Sequence, residues 1–171
     1  MDMAGLIRDV PDFPVKGILF KDITTLIRNA DAFREVIDWM AAHYAKSRVD
    51  RVVAIEARGY IFGAPLAYKL GAGFVPVRKP GKLPAKTISE SYSLEYGTNT
   101  LEMHEDGIEP GQRVLVVDDL LATGGSARAA IRLVERLGGQ VIGVAFMIEL
   151  DFLRGRDMIE GYDALSLIHF A

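Results

Sequence analysis

The sequence predicts an α/β fold: a doubly wound, mostly parallel sheet flanked by helices, with a flexible lid or hood. Three observations lead there. Short continuous apolar runs such as Arg51-Val-Val-Ala-Ile55 and Val114–Val117 have the character of parallel strands buried on both faces. Segments with a helical apolar period lie between such runs. The two kinds alternate at short spacing, which favours successive β-α-β units over segregated helices and strands. No internal repeat, linker or low-complexity tract interrupts the pattern, so residues 1–171 are expected to form one domain.

The first strongly periodic segment is Asp31–Lys46, where Phe33, Val36, Ile37, Met40, Ala41 and Tyr44 fall on one helical face. Trp39 lies off this stripe and is expected to be partly exposed. Arg51–Ile55 is a strand, Glu56-Ala-Arg-Gly59 a turn, and Tyr60–Leu70 a helix that Gly71 and Gly73 end. Phe74–Arg78 is the next strand, weakened locally by Pro76. Arg78–Thr100 then changes character. It holds Pro80, Gly81, Pro84 and Gly97, mixed charges and no helical period, the signature of a functional loop or lid inside a compact domain. Leu101–His104 alternates apolar and polar, as one arm of a hairpin does. After the turn Glu109-Pro-Gly111 come a strand at Val114–Val117 and a helix at Ser126–Leu137. That helix carries Ala127, Ala130, Ile131, Val134 and Leu137 on one side and stops at Gly138-Gly139. Val141–Leu150 and Ala164–Phe170 are the last strands.

Composition narrows the function classes. Half the residues are apolar and a quarter charged, and the net charge is −3, so no broad basic field for nucleic acid or an anionic membrane is expected. Without cysteine the chain has neither disulfides nor thiolate metal sites. No apolar stretch approaches the ~20 residues that span a bilayer, and Met1–Arg8 lacks the apolar core of a signal peptide; a cytoplasmic protein is expected. His43, His104 and His169 are scattered without ligand spacing.

The most informative segment is Val114-Leu-Val-Val-Asp-Asp-Leu-Leu-Ala-Thr-Gly-Gly-Ser126. A strand runs into two adjacent carboxylates, then into a small glycine turn that opens a helix. Backbone N–H groups at such a helix start bind anions, phosphate above all. Gly124 and Gly125 permit close approach of an oxyanion, and Thr123 and Ser126 add hydroxyls. No lysine follows the second glycine, so this is not a Walker loop, nor is it a G-x-G-x-x-G fingerprint. A plain helix cap accounts for Ser126 and Asp119, but not for an acid pair followed by Leu120-Leu121 and two glycines. The pair makes sense where the ligand also brings hydroxyls or a divalent cation, as a sugar phosphate with a free diol does. In doubly wound sheets ligands gather beyond the carboxyl ends of the strands. Glu56, Arg78 and Asp118 each follow a strand and should converge there.

Val114–Ser126 resembles the phosphoribosyl-diphosphate signature of the type I phosphoribosyltransferases. Pro11-Asp-Phe-Pro-Val-Lys-Gly-Ile-Leu-Phe-Lys-Asp-Ile-Thr24 is similar to the base-binding segment of the adenine phosphoribosyltransferases. Arg78-Lys-Pro-Gly-Lys-Leu-Pro84 and Glu90-Ser-Tyr-Ser-Leu-Glu-Tyr-Gly97 are similar to that family's diphosphate loop and catalytic lid. The resemblance covers nearly the whole chain. It implies a base-binding segment at 1–30, a diphosphate loop and lid at 78–104, and conversion of adenine and 5-phosphoribosyl 1-diphosphate to AMP and diphosphate in purine salvage.

The resemblance also assigns roles. Asp118 and Asp119 would hold the ribose hydroxyls, and Ala122, Thr123, Gly124, Gly125 and Ser126 the 5′-phosphate. Ser126 replaces a common threonine and keeps the hydroxyl. Glu56 and Ala57 belong to a loop that presents N–H groups to diphosphate across a non-proline cis peptide, for which Glu56–Ala57 is the candidate. Arg58, Lys79 or Lys82 would balance the leaving diphosphate, with Mg²⁺ carried by the substrate rather than by a dedicated protein site. Glu95 would exchange a proton with the purine N7, and Tyr96 would pack over the closed site. Phe20 would stack on adenine while the backbone of Leu19 and Lys21 reads its edge; Lys21 replaces a common arginine. Relatives are homodimers. Read from residues alone, Glu95 is equally a solvated loop residue, Arg58 a cap and Phe20 a core aromatic. Two other functions stay open: a regulator that kept the phosphoribosyl site without catalysis, and a transferase for another base such as xanthine or orotate.

Overall fold

The computed structural model describes residues 1–94 and 96–171. They form two compact units, Met1–Trp39 and Met40–Ala171.

In Met1–Trp39, strand β1 (Arg8–Pro11) pairs antiparallel with β2 (Leu19–Asp22). The apolar pattern announces neither, because cross-strand charges hold them. The register sets Arg8 opposite Asp22 and Asp9 opposite Lys21. Arg8 is ion-paired to Asp22, and Lys21 Nζ lies 2.6 Å from Asp9 Oδ1. Helix α1 (Thr24–Ile27) starts where the Thr24 N–H and hydroxyl both donate to Asp22 Oδ1, at 2.9 and 2.7 Å. Helix α2 (Ala30–Tyr44) follows the periodic segment closely. The Ala32 N–H donates to Asn29 Oδ1 (3.1 Å), capping its first turn. Val36 and Met40 are fully buried, and Trp39 is half-buried.

In Met40–Ala171 the strands are β3 (Arg51–Ile55), β4 (Gly73–Val77), β5 (Thr87–Ser93), β6 (Thr98–His104), β7 (Arg113–Leu121), β8 (Gln140–Leu150) and β9 (Ala164–Phe170). Five of them lie side by side, all parallel, in the order β4-β3-β7-β8-β9. Pro76 sits in β4 at the sheet edge, where a missing ladder N–H is tolerated. Helices α3 (Arg58–Leu70) and α4 (Gly125–Arg136) cover opposite faces. Val53 and Ile55 join Val114 and Val116 in one core with Ala130, Ile131 and Val134 of α4. Val52 and Ala54 face α3, which approaches so closely that a Cβ at Gly63 would lie 2.6 Å from Ala54 Cβ. The strand order reverses between β3 and β7, so the carboxyl ends of these two strands flank the switch point where ligands bind in such sheets.

Two elements differ from the sequence reading. β7 runs to Leu121, with both aspartates inside the strand: Asp118 is in register with Phe146, and Leu120 with Ile148. Ordered chain also begins earlier than Leu101. β5 and β6 form a hairpin from Thr87, tied to the end of β4 by paired hydrogen bonds between Arg78 and Glu102 (3.0 and 2.7 Å). No helix among the described residues is long and apolar enough to cross a membrane.

Candidate active site

At the switch point the end of β3, the end of β4, the hairpin and β7 enclose a cleft of about 320 Å³. Its floor is Asp118 and Asp119. Both are buried, at 9% and 5% exposure. The Asp119 N–H donates to Asp118 Oδ1 (2.8 Å), and Arg58 Nε donates to Asp119 Oδ2 (2.6 Å). Arg58 therefore bonds Asp119 directly, and its charge offsets the burial of Asp118 only in part. Burial, then the neighbouring Asp119 charge, push the Asp118 carboxyl well above the usual carboxylate range. Gly59 makes room for it, since a Cβ there would sit 3.0 Å from Asp118 Oδ1.

Glu56 follows β3, and its peptide bond to Ala57 is cis. Its carboxylate is saturated. It accepts the Lys79 N–H at 2.6 Å and two N–H groups of Arg78 at 3.2 Å each, with Lys82 Nζ 3.5 Å away. Burial would raise its pKa, but these donors more than offset that and hold Glu56 below the usual range. Glu56 thus orders the Arg78–Lys82 loop and is not disposed as a proton carrier.

The segment between β7 and α4 is packed backbone to backbone. Gly124 has φ +88°, and a Cβ there would lie 2.5 Å from Gly155 O and 2.8 Å from Met158 Cβ. A Cβ at Gly125 would lie 2.7 Å from the ring of Tyr92. Gly124→Ala is therefore expected to destabilise the fold by about 2–3 kcal/mol, from the left-handed conformation plus the clash. Thermal unfolding checks this; an unchanged Tm would contradict it.

The structure brings Glu56, Ala57, Arg58, Lys79, Asp118, Asp119 and Ser126 to one cleft. Lys82 contacts Glu56 outside the lining. Thr123 is exposed, and Tyr96 projects into solvent at 88% exposure. Glu95 lies outside the described residues. Tyr92 and Leu101, which also line the cleft, were not anticipated. The signal for Tyr92 is the alternation Ser89-Glu90-Ser91-Tyr92-Ser93, with serines outward and Glu90 and Tyr92 inward.

In Met1–Trp39 a separate apolar pocket of about 280 Å³ is lined by Val10, Phe13, Phe20 and Asp22. Val10 and Phe20 are register partners on the hairpin, and the Phe13 and Phe20 rings meet edge to face at 5.1 Å. Leu19 and Lys21 flank Phe20 on β2. Phe13, next to a cis proline, was also not anticipated.

The phosphoribosyl transferase domain family matches residues 22–164. The chain belongs to this family. A phosphoribosyltransferase from Thermotoga sp. (strain RQ2), named adenine phosphoribosyltransferase, is 61% identical over 168 residues, covering 98% of this chain and 99% of its own. The crystal structure of adenine phosphoribosyltransferase from Thermoanaerobacter pseudethanolicus superposes with a TM-score of 0.96 at 56% identity, covering 99% and 98% of the two chains. The Saccharomyces cerevisiae enzyme, solved with adenine and an imino-altritol bisphosphate, gives 0.92 at 40% identity over 97% and 96%. The chain is thus a pentosyltransferase of the type I phosphoribosyltransferase fold.

Proposed function

We propose that this chain is an adenine phosphoribosyltransferase: it converts adenine and 5-phosphoribosyl 1-diphosphate to AMP and diphosphate in purine salvage. The observation that carries the reading is the buried Asp118–Asp119 pair in one cleft with Ser126, at the start of α4, and the basic residues Arg58 and Lys79. Such a cleft suits a ligand with a phosphate at one end, hydroxyls in the middle and a leaving diphosphate at the other. The full-length relatives named adenine phosphoribosyltransferase support the choice of base.

Each part of the cleft has a task in that reaction. Backbone N–H groups of Ala122–Gly125 and the Ser126 hydroxyl hold the 5′-phosphate, with each charge-assisted bond worth ~1.5–3 kcal/mol. Asp118 and Asp119 accept the ribose hydroxyls. As the C1–O bond breaks, positive charge builds on the ribose, as in glycoside cleavage, and the carboxylates oppose it. Arg58, Lys79 and the N–H groups beside Ala57 hold the departing diphosphate, with Lys82 supporting that loop through Glu56. The oxygen donors Asp118 and Asp119 would suit Mg²⁺ brought by the substrate, which would supply positive charge to the departing diphosphate. The Phe13–Phe20 pocket takes the purine face, and the backbone of Leu19 and Lys21 its edge. Glu95 carries the proton and Tyr96 closes over the site, keeping water from the activated ribose. Residues 1–30 and 78–104 serve one phosphoribosyltransferase domain as base-binding segment and lid, in a cytoplasmic homodimer.

Incubation with phosphoribosyl diphosphate, Mg²⁺ and adenine, hypoxanthine, guanine, xanthine or orotate in turn is expected to yield nucleotide with adenine. Product only from another base would overturn the substrate, and no product from any base would overturn the reaction.

A further inference from the structure

Glu149 is a buried carboxylate that the reaction does not use. It stands near the end of β8, 5% exposed, in register with His169 of β9. Arg156, in the turn that follows β8, grips it with a two-point fork: Nε to Oε1 at 2.7 Å and Nη2 to Oε2 at 2.9 Å. The third point of the guanidinium, Nη1, donates to the Ala164 carbonyl at 3.1 Å, where β9 begins. His169 Nδ1 lies 2.8 Å from Asp151 Oδ1 and 3.8 Å from Glu149 Oε2. Glu149, Asp151 and His169 come close enough together to suggest a metal site, but Arg156 already occupies both Glu149 oxygens.

The fork holds a turn that leans on the glycine loop. Gly155, next to Arg156, is in backbone contact with the segment between β7 and α4. A Cβ at Gly155 would lie 2.4 Å from Ala122 O and 2.8 Å from Leu121 Cδ1. From the other side, a Cβ at Gly124 would meet Gly155 O. The chain has two glycines where any larger residue would part the two backbones.

We propose that Arg156, held by Glu149, is a positioning residue for the 5′-phosphate loop Ala122–Gly125, acting through the backbone of Gly155. Phosphate affinity depends on several N–H groups pointing at one place, and a loop with two glycines among four residues has few side-chain contacts of its own to fix that geometry. The β8–β9 end supplies the rigidity: a planar five-donor fork bonded at three points fixes a turn far better than a single ammonium. The inference rests on the reading that this loop takes the 5′-phosphate.

The test is Arg156→Lys, which keeps the charge beside Glu149 and removes the fork. Calorimetric titration would measure binding of ribose 5-phosphate and, separately, of diphosphate with Mg²⁺, alongside Tm. Ribose 5-phosphate is expected to bind about 10- to 100-fold more weakly, the loss that misplacing one charge-assisted hydrogen bond to phosphate produces, with diphosphate binding unchanged. Unchanged ribose 5-phosphate binding, or parallel weakening of both ligands, would overturn the proposal. Should the lysine variant not fold, Glu149→Gln is read by the same two titrations. A wild-type protein that binds diphosphate but not ribose 5-phosphate would instead remove the reading of the loop, and this proposal with it.

Discussion

Asp118→Asn is expected to lower kcat/KM for phosphoribosyl diphosphate by about 10²- to 10³-fold, the loss typical of one preorganised electrostatic partner, while raising Tm by roughly 2–4 °C. The two effects share a cause. Asp118 is buried beside Asp119, and Arg58 Nε bonds only the latter. Asparagine keeps the oxygen that accepts the Asp119 N–H but not the charge, so the repulsion goes and about 1 kcal/mol of stability is gained. The pH dependence follows from the raised Asp118 pKa. Between the ordinary aspartate value near 3.9 and the folded-state value, the folded protein holds a proton that the unfolded chain has released. The stability conferred by neutral Asp118 is therefore full below that window and is lost as pH rises through it. The stability advantage of the asparagine variant should grow with pH across the same window. Chemical denaturation of both proteins over acid to neutral pH measures this. A variant less stable than wild type at neutral pH would show that Asp118 is not a strained charge.

In the proposed reaction, the ligand would complete this incompletely compensated carboxyl. Half-buried Glu56 and buried Glu149 are each met by an arginine and held below the usual range, against the raising effect of burial, by their hydrogen-bond donors. Of the three carboxylates that line the cleft, Glu56 and Asp119 are bonded directly to arginines, and Asp118 is the one that the proposed reaction would complete with a sugar hydroxyl and a developing positive charge.

Much of this was legible in local chemistry. β3 and β9 follow their apolar runs, α2 and α4 their stripes, and Gly71 and Gly138 end helices with positive φ. The acid pair is a local signal, and it lies in the cleft together with Ser126 at the start of α4. What stayed hidden is non-local. β1 and β2 have no apolar alternation, since Arg8–Asp22 and Asp9–Lys21 pairs hold them. Two aspartates after Val117 read locally as a strand end, whereas pairing with β8 carries β7 to Leu121. Tyr92 against Gly125, and Gly155 against Gly124, are contacts between distant segments that no spacing rule displays.

Glu95→Gln is expected to lower kcat by about 10²-fold or more, the share of the rate that a positioned acid or base supplies, with little change in the dissociation constant of phosphoribosyl diphosphate. The reasoning is proton bookkeeping. When adenine reacts at N9 as its N7–H tautomer, the new C1–N9 bond takes the N9 lone pair and the purine becomes cationic unless the N7 proton leaves. A carboxylate at N7 accepts that proton as the bond forms, and returns it in the reverse reaction. Glutamine keeps a carbonyl oxygen of nearly the same shape, so it still accepts a hydrogen bond from N7–H, but it cannot take the proton away. Binding should survive and turnover should not, which separates this role from that of a residue that merely orders the lid. The kinetic signature is a fall in kcat and in kcat/KM for adenine by the same factor. Wild-type turnover in the glutamine variant would remove Glu95 from the chemistry. The proton would then leave to solvent, and the Tyr-Ser-Leu-Glu-Tyr segment would serve only to exclude water from the ribose.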